Sequence, residues 1–400
     1  MKNFLKKLLP DWIVLFYHRI IALAGAVRYG FPSRKMIVIG VTGTKGKTST
    51  VNFIWSVLQA GGYKTGIIST ANIRIGNSEV MNEYHMTMPG RWEIQRLMAE
   101  MARAGCRYCV FETTSEGIKQ SRHIGVRYDI CVFTNLSPEH LPSHGGSFEN
   151  YKETKAKMFA NHPKLIIANG DDEHADYFLS FPADKKIAFS IKDYNFHLNI
   201  PGDFNKYNAM PAVIIGRYVG MSEADIAKGL ADLTLIPGRM EKIDEGQEFT
   251  VFVDYAHEKK SIGYVLQAAN EMKKPGGHSI ILLGAEGGGR DKAKRAHMGE
   301  LAGKMADYLI CSNVDPYEDD PTEIVEDIAV IAEKFGKVRN KDLFVIEDRR
   351  EGIKKALALA NARDVVLITG KGAEQSMIIG GKSIPWDDRV VVREELKNRR

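Results

Sequence analysis

The feature that most constrains this chain is a glycine-rich turn that joins an apolar strand to a helix. Residues 38–50 read Val-Ile-Gly-Val-Thr-Gly-Thr-Lys-Gly-Lys-Thr-Ser-Thr. Glycine lets the backbone N–H groups of such a turn approach phosphate oxygens without a Cβ atom in the way, and the helix start adds a favourable dipole. We expect Lys47 to reach the β- and γ-phosphates of a nucleotide and the Thr48 hydroxyl to bind Mg²⁺. The alternative is a turn that only connects the strand to the helix.

Length and composition bound the class of protein. A chain of 400 residues at 44% hydrophobic can form two or three soluble domains of roughly 100 to 200 residues each. The net charge of +5 is small for this length and is not gathered in one long basic block, so nucleic acid is not a predicted partner. Four cysteines do not suggest a disulfide framework in a chain of this size, which favours a reducing cytoplasm. Cys106 and Cys109 form a single CxxC pair, so buried structural thiols are favoured over a zinc ribbon.

The first 35 residues differ from the rest because basic residues flank an apolar run from Trp12 to Val27. This run is shorter than the roughly 20 residues that span a bilayer, and His18 and Arg19 interrupt it. Two interpretations stay open: a helix that lies in the membrane interface, or a helix docked on the body of the protein. The predicted location is therefore the cytoplasm, with peripheral contact at the inner face of the membrane as an open alternative. The apolar residues that recur at helical spacing are Leu5, Leu9, Trp12, Phe16, Ile20, Leu23 and Val27.

Strand-like apolar runs alternate with helical patterns along the rest of the chain, which predicts α/β architecture with mostly parallel sheets covered by helices. A stretch at Pro237-Gly238-Arg239 separates two such series. The sequence predicts a helical segment over residues 1–35, a P-loop nucleotide-binding domain over residues 36–236, and a Rossmann-like doubly wound domain over residues 237–400. The predicted strands are Cys109–Phe111, Ile130–Phe133, Leu165–Ala168, Ile187–Phe189, Thr250–Val253, Ser279–Leu283, Tyr308–Cys311, Leu343–Ile346 and Val365–Ile368.

Two potential metal ligands follow neighbouring predicted strands of the first series. Glu112 comes directly after Cys109–Phe111, and His140 lies in the loop after Ile130–Phe133. Open α/β sheets bind ligands at the carboxyl ends of their strands, and a carboxylate beside a phosphate loop suits Mg²⁺. A lone histidine in a surface or core role is the alternative for His140.

At this point several motifs, in order, resemble the Mur ligases, specifically the MurE-like enzymes that add the third residue of the peptidoglycan stem peptide. The resemblance runs from about Met36 to the C-terminus. It implies an ATP loop, a Thr-Thr-Pro-like element at Thr87-Met88-Pro89, and an acceptor-binding segment after Glu112. The implied ATP-loop residues are Gly43, Thr44, Lys45, Gly46, Lys47, Thr48 and Ser49, and the implied acceptor-binding residues are Thr87, Thr114 and Ser115.

The same resemblance implies two Mg²⁺ ions. Thr48 and Glu112 would hold one ion, and His140 would hold the other together with Lys155. Lys155 lies in a helix similar to the family's Tyr-x-x-x-Lys-x-x-Leu-Phe, whose lysine is often carbamylated. Lys47, Glu112, His140 and Lys155 are therefore the implied catalytic residues.

Further motifs imply the remaining contacts. Gly202–Asn208 is similar to the family's Gly-x-Phe-Asn-x-x-Asn, so Asn205 and Asn208 are implied nucleotide-binding residues. Arg239 and Asp254 lie in segments similar to those whose arginine contacts phosphate and whose aspartate contacts the ribose. The implied amino-acid-binding residues are Arg290, Asp315, Tyr317, Gly370 and Glu374.

Four departures limit the likeness. The family's Asp-Asn-Pro-Arg, whose arginine grips the distal carboxylate of diaminopimelate, is here Val-Asp-Pro-Tyr, so Tyr317 supplies no cation for bidentate recognition. Ala373 replaces a histidine of Gly-Lys-Gly-His-Glu, and Glu116 replaces the histidine of Ser-Ser-His. The UDP-sugar-binding domain is expected to be missing, since only a short apolar segment precedes Lys35. We therefore expect poor use of diaminopimelate, with lysine the leading candidate.

The resemblance implies an ATP-dependent ligase that forms an amide bond through an acyl phosphate. Its substrates would be a muramoyl peptide precursor and an amino acid, and the enzyme would act as a monomer. One alternative is a Mur-family ligase with a lipid-linked or poly-γ-glutamyl acceptor. The other is a non-catalytic relative that binds nucleotide and serves as a scaffold. The residues that argue against it are the retained Lys47, Thr48, Glu112, His140 and Lys155.

Overall fold

The computed structural model describes residues 11–76, 78–84, 86–139, 141–289 and 292–399, with the side chains of Asp11 and Trp12 left out. These residues form two compact units. The first unit runs to Asn199 and also includes Asn205–Thr234. The second comprises Ile200–Phe204 and the chain from Leu235 onward. Each unit is built around a sheet of its own.

The first unit contains an eight-stranded sheet in the order β4-β3-β2-β5-β1-β6-β7-β8. The neighbouring strands β2, β5, β1, β6, β7 and β8 pair in parallel. Strand β3 pairs antiparallel with β2 and with β4, so this edge of the sheet is antiparallel. The central strands are buried along their length, as expected for parallel strands covered on both faces. Their bounds are β1 Ile37–Thr42, β2 Thr65–Ile68, β3 Asn72–Ile75, β4 Ser78–Met81, β5 Tyr108–Glu112, β6 Ile130–Phe133, β7 Leu165–Asn169 and β8 Lys185–Phe189.

Helices connect these strands, and three of them begin at side-chain caps on Thr114, Ser147 and Ser222 that accept a backbone N–H. The helices of this part are α1 Asp11–Arg28, α2 Lys47–Ala60, α3 Arg91–Arg103, α4 Ser115–Lys119, α5 Phe148–Ala156, α6 Ala175–Leu179, α7 Phe204–Tyr218 and α8 Glu223–Asp232.

The second unit contains a six-stranded sheet in the order β13-β12-β11-β14-β10-β9, parallel except for β9 at one edge, and a separate hairpin of β15 and β16. The strands are β9 Glu241–Ile243, β10 Thr250–Asp254, β11 Ser279–Leu283, β12 Tyr308–Cys311, β13 Leu343–Val345, β14 Val365–Thr369, β15 Ser376–Ile379 and β16 Lys382–Pro385. The helices are α9 Lys259–Met272, α10 Ala293–Met305, α11 Pro321–Lys334, α12 Arg349–Leu359 and α13 Asp388–Asn398.

Alternate residues of the central strand β11 belong to different hydrophobic clusters. Ile281 and Leu283 pack with one set of helices, whereas Ile280 and Leu282 pack with another. Successive side chains of a strand point to opposite faces, so helices cover both faces of this sheet. This confirms the predicted doubly wound α/β fold.

All nine predicted strands are present; three have the predicted ends, and the ends of the other six differ by at most two residues. The hairpin end of the first sheet, the edge strand β9, and β15 with β16 were not expected. All four cysteines are free and buried, which confirms the prediction that Cys106 and Cys109 are buried structural thiols. Within the described residues, no helix is long and apolar enough to cross a membrane.

Candidate active site

The phosphate loop leaves β1 at Thr42 and ends where α2 begins at Lys47. Gly46 caps the helix in the left-handed region with φ of 80°, and a Cβ atom there would lie 2.1 Å from Oδ1 of Asn208. A Cβ on Gly43 would lie 2.0 Å from Oγ1 of Thr134. Both positions therefore require glycine, as the loop motif predicts.

The loop after β6 holds the phosphate loop in place. The side chain of Asn135 accepts the backbone N–H of Lys45 at 2.9 Å, and Thr134 Oγ1 donates to the Lys45 carbonyl at 2.7 Å. The Lys45 ammonium in turn pairs with Glu139 at 2.8 Å. These contacts fix the backbone of the turn before any ligand binds, which lowers the cost of ordering it around phosphate.

Thr48 and Glu112 meet behind the phosphate loop. The Thr48 hydroxyl donates to Glu112 Oε2 at 2.9 Å, and the backbone N–H of Thr70 donates to the same oxygen at 2.9 Å. Glu112 is 2% exposed and ends β5, which lies beside β1 in the sheet. A buried carboxylate next to a hydroxyl offers the hard oxygen ligands that Mg²⁺ prefers. His140, the expected ligand of a second ion, lies outside the described residues.

Lys155 is buried under the phosphate loop, where its Nζ donates to the Gly43 carbonyl at 2.8 Å. Burial lowers the pKa of Lys155 well below its ordinary value, and the nearby Lys47 lowers that pKa further. A neutral amine is the form of lysine that reacts with carbon dioxide, so this environment fits a carbamylation site. Lys47 itself bends back to the Thr44 carbonyl at 2.9 Å.

One of the expected acceptor-binding residues, Thr87, is linked to the Glu112 carboxylate through Thr70. Thr87 Oγ1 lies 2.8 Å from Thr70 Oγ1, and Thr70 contacts Glu112 through its backbone. The Thr114 side chain caps α4 by accepting the N–H of Gly117. Ser115 Oγ lies 3.1 Å from Nε2 of a second histidine, His144.

The sequence did not single out His144. It is buried at the end of a short helical turn, Leu141–His144, and its ring packs edge-on against Tyr151 at 5.2 Å. The sequence offers only its position four residues after His140, and no motif includes a histidine at that position.

Asn205 and Asn208 lie on one face of α7, and the Asn208 amide donates to Asn205 Oδ1 at 2.9 Å. Both side chains are buried. Asn208 packs directly against Gly46, so the structure brings this residue to the phosphate loop.

In the second unit, Arg239 and Asp254 meet where β10 ends. The Asp254 carboxylate accepts the backbone N–H groups of Met240 and Ala256, each at 2.7 Å. Burial raises the pKa of Asp254, and Arg239 opposes this shift. The Arg239 guanidinium lies 4.4 Å from the centre of the Tyr255 ring.

The amino-acid-binding candidates of the second unit surround a buried lysine. Lys371 pairs with Asp315 and with Glu374, each at 2.7 Å. Burial raises the pKa of Glu374, although Lys371 partly offsets that shift. Gly370, with φ of 111°, leads from β14 into this cluster. Arg290 lies outside the described residues.

Tyr317 follows Asp315 in the same loop and adopts φ of 56°, which is unusual for a residue with a side chain. Its backbone N–H donates to the Ile378 carbonyl at 3.0 Å. A Cβ on Gly288 would come within 2.8 Å of the Tyr317 ring. The loop that precedes Arg290 therefore packs on the loop that carries Tyr317.

A phosphate loop on a mostly parallel sheet, followed by a doubly wound unit, defines the class as a P-loop nucleotide-binding α/β protein of two units. Residues 41–195 match the Mur ligase middle domain, and residues 238–372 match the Mur ligase glutamate ligase domain. The chain belongs to the Mur ligase family, and it is a ligase.

Three known proteins show the extent of the likeness. The UDP-N-acetylmuramoyl-L-alanyl-D-glutamate--2,6-diaminopimelate ligase of Caldanaerobacter subterraneus subsp. tengcongensis is 35% identical over 92% of this chain and 80% of its own length. The UDP-N-acetylmuramyl-tripeptide synthetase of Roseiflexus sp. is 34% identical over 94% of this chain and 82% of its own. A solved structure of a UDP-N-acetylmuramoyl-L-alanyl-D-glutamate--2,6-diaminopimelate ligase superposes with a TM-score of 0.60 at 28% identity, covering 91% of this chain and 79% of that one.

Proposed function

We propose that the protein is a MurE-like ligase that uses ATP to join an amino acid to the peptide of a muramoyl precursor of peptidoglycan. The observation that carries the proposal is the contact of Thr48 with the buried Glu112 directly behind the phosphate loop. The names of the relatives supply the substrate class, since both describe ligation to a UDP-linked muramoyl peptide. We expect the enzyme to work in the cytoplasm as a monomer.

The residues of the first unit are suited to neutralising charge on phosphate. Lys47 and the backbone N–H groups of the loop would hold the β- and γ-phosphates. Mg²⁺, held by Thr48 and Glu112 with a second ion at His140 and a carbamylated Lys155, would offset the negative charge of the phosphates. Asn205 and Asn208 are the further nucleotide-binding residues proposed in this unit, and Arg239 and Asp254 are those proposed in the second unit.

The amide bond would form in two steps. A carboxylate oxygen of the acceptor peptide attacks the γ-phosphorus and ADP leaves, which gives an acyl phosphate. The amine nitrogen of the incoming amino acid then attacks the acyl carbon, and phosphate leaves with the original carboxylate oxygen as the nitrogen loses a proton. Negative charge builds on oxygen in both steps, so the cationic Lys47 acts in the transition state as well as in binding.

The amino-acid-binding candidates of the second unit lie among more carboxylates than ammonium groups, within the described residues of that unit. Lys294 lies 3.8 Å from Glu258 and 3.4 Å from Glu286, while Lys371 serves both Asp315 and Glu374. Such a surface favours an amine and disfavours a second carboxylate, because a buried carboxylate without a partner is costly. Together with Tyr317, this supports lysine over diaminopimelate as the added amino acid.

The test is a ligation assay with ATP, Mg²⁺ and UDP-linked muramoyl dipeptide, in which lysine and diaminopimelate compete and the products are weighed by mass spectrometry. We expect a product heavier than the acceptor by one lysyl residue. Lys47→Ala removes the phosphate contact and should abolish the product, whereas Lys64→Ala is a control away from the loop. A product that carries mainly diaminopimelate would contradict the specificity, and product formation by Lys47→Ala would contradict the proposed site.

A further inference from the structure

Helix α1 docks on the first unit through a face made of its small residues. Ala22 and Ala26 are fully buried, and a Cβ on Gly25 would lie 3.5 Å from the backbone of Trp92 on α3. A Cβ on Gly125 would come within 2.7 Å of the Ala26 methyl group. These small side chains let α1 approach the unit closely, so the helix is part of the folded body.

The opposite face of α1 is apolar and exposed. Its residues are four, three and four positions apart, which places them in one stripe along the helix. Each of these side chains is about half or more exposed. The stripe consists of Phe16 at 61% exposed, Ile20 at 50%, Leu23 at 47% and Val27 at 64%, with Tyr17 at 59% beside it.

The positive charge of the chain is concentrated in the same part of the sequence as this stripe. Residues 1–35 contain seven Lys or Arg and one Asp, so that residues 36–400 hold 48 basic and 49 acidic residues. Arg19 and Arg28 are exposed on α1, and Arg34 and Lys35 are exposed in the turn that follows. The remainder of the chain is thus close to neutral, and its first 35 residues account for the net charge of +5.

Helix α3, against which α1 docks, places a further cation near α1. Arg91 lies on α3 near Tyr17, and Arg122 lies near Arg91. Trp92 is 40% exposed and donates through its indole to the Tyr29 hydroxyl at 3.1 Å. Arg91 therefore adds a basic residue next to Tyr17, which lies beside the stripe.

We infer that α1 attaches the protein to an anionic membrane surface, with the stripe of Phe16, Ile20, Leu23 and Val27 inserted among the lipids. The helix lies in the plane of the interface, since its described residues are too few and too polar to cross a bilayer. A second copy of the chain fits the stripe less well, because it would bring the same arginines face to face. Anionic headgroups complement those arginines instead.

The test is co-sedimentation of the full-length protein with vesicles of equimolar phosphatidylglycerol and phosphatidylcholine. We expect binding that falls with added salt, and at least about tenfold weaker binding to vesicles of phosphatidylcholine alone. The double variant Ile20→Glu/Leu23→Glu should bind at least about tenfold more weakly. Val330→Glu/Val338→Glu is the matched control, since both valines are similarly exposed on the second unit.

The contribution of charge has its own variant. Arg19→Gln/Arg28→Gln should weaken binding roughly 25-fold, at roughly fivefold for each cation near the surface. Lys228→Gln/Lys242→Gln removes the same charge from exposed positions elsewhere and should leave binding unchanged. All four variants should keep the wild-type rate with a water-soluble acceptor, because none of the substituted residues belongs to the proposed site.

Three results would overturn the inference. The first is equal binding of the wild type and Ile20→Glu/Leu23→Glu. The second is binding to phosphatidylcholine vesicles as strong as to the anionic ones. The third is that the wild type binds neither kind of vesicle. In that case, analytical ultracentrifugation shows whether the wild type self-associates and whether Ile20→Glu/Leu23→Glu abolishes that self-association. Self-association of that kind would assign the stripe to a second copy of the chain.

Discussion

The side chain of Lys155 lies inside the first unit, beneath the carbonyl group of Gly43. A charged residue in a helix that also carries exposed glutamates gives no sequence signal of burial. The helix turns this face inward because Tyr151 and Ala156 belong to the hydrophobic core. The low pKa of Lys155 therefore follows from packing, and the motif could only name the residue.

The first prediction concerns stability against pH. The fold lowers the pKa of Lys155, so between that lowered pKa and the ordinary value of 10.5 the unfolded chain binds a proton that the folded chain does not. The free energy of unfolding should therefore rise with pH in this window, by at most about 1.4 kcal/mol per pH unit. Denaturant unfolding at a series of pH values, without carbon dioxide, measures the slope.

Lys155→Met should reduce this slope, whereas Lys157→Met, which alters an exposed lysine just past the same helix, should keep it. Equal slopes in the two variants would contradict a neutral Lys155.

A second prediction concerns Glu112. Glu112→Gln keeps the shape and the hydrogen bond from Thr48 but removes the charge that would bind Mg²⁺. Turnover should fall about 100-fold or more, since about 1.4 kcal/mol corresponds to tenfold in rate. Glu153→Gln, on the exposed face of α5, is the control and should keep wild-type turnover. Steady-state kinetics at saturating ATP measures the turnover of both variants, and circular dichroism checks that they are folded. A fall in turnover of less than threefold for Glu112→Gln would contradict a role of Glu112 in binding Mg²⁺.

A third prediction concerns Tyr317 and the choice of amino acid. Tyr317→Arg restores a fork of donors that can bind a distal carboxylate, so kcat/KM for diaminopimelate should rise about tenfold or more. Arginine replaces tyrosine at the same positive φ, so the strain in the loop is similar. Tyr317→Phe is the control, because it adds no cation and should leave diaminopimelate unused. An unchanged ratio of the two amino acids in Tyr317→Arg would show that another residue sets the specificity.

At the scale of elements, a buried ion pair joins the starts of α12 and α13. The Arg349 guanidinium forms two hydrogen bonds to the Asp388 carboxylate, at 2.8 and 2.6 Å, and both side chains are fully inaccessible. It also donates to the carbonyl groups of Asn313 and Thr369. A carboxylate left without this partner would be buried with its charge uncompensated.

Arg349→Met should therefore lower the free energy of unfolding by about 3 to 5 kcal/mol. The neighbouring Arg350 pairs with Glu394 and Glu395 at the surface, and Arg350→Met should cost at most about 1 kcal/mol. Urea unfolding of the two variants gives the comparison, and equal losses would mean that burial does not strengthen the Arg349 pair.

Most of the strands that could be predicted from the sequence are buried and parallel, because a strand covered on both faces is often a continuous apolar run. The buried strand β2, Thr65–Ile68, was not predicted because a threonine and a glycine make up half of its four residues. The segment β4 could not be predicted, since Ser78–Met81 is exposed and carries no such run. Strand β9 has three residues, which is too short for a periodic pattern. Of the two interpretations of the first helix, the structure shows docking on the body, through the buried Ala22 and Ala26, whereas contact with a membrane stays a prediction.

At the scale of the whole molecule, sheet topology explains why separated motifs meet. Thr48 and Glu112 are 64 positions apart, yet β5 lies next to β1 and brings the carboxylate to the helix start. Order along the chain does not reveal this neighbour relation, since β2, β3 and β4 intervene. The resemblance of the motifs could therefore predict which residues form the site. That these residues lie close together follows from the parallel pairing of β1 with β5 and β6.

The acyl-phosphate mechanism is tested most directly by following one oxygen atom. An acceptor peptide labelled with ¹⁸O in its reacting carboxylate is ligated with lysine and ATP, and mass spectrometry weighs the amide product and the released phosphate. We expect one ¹⁸O in the inorganic phosphate, because the carboxylate oxygen that attacks the γ-phosphorus leaves with it. Release of AMP that carries the label would show activation through an adenylate, and unlabelled phosphate without an amide product would show ATP hydrolysis alone. Either result would contradict the proposed ligase mechanism.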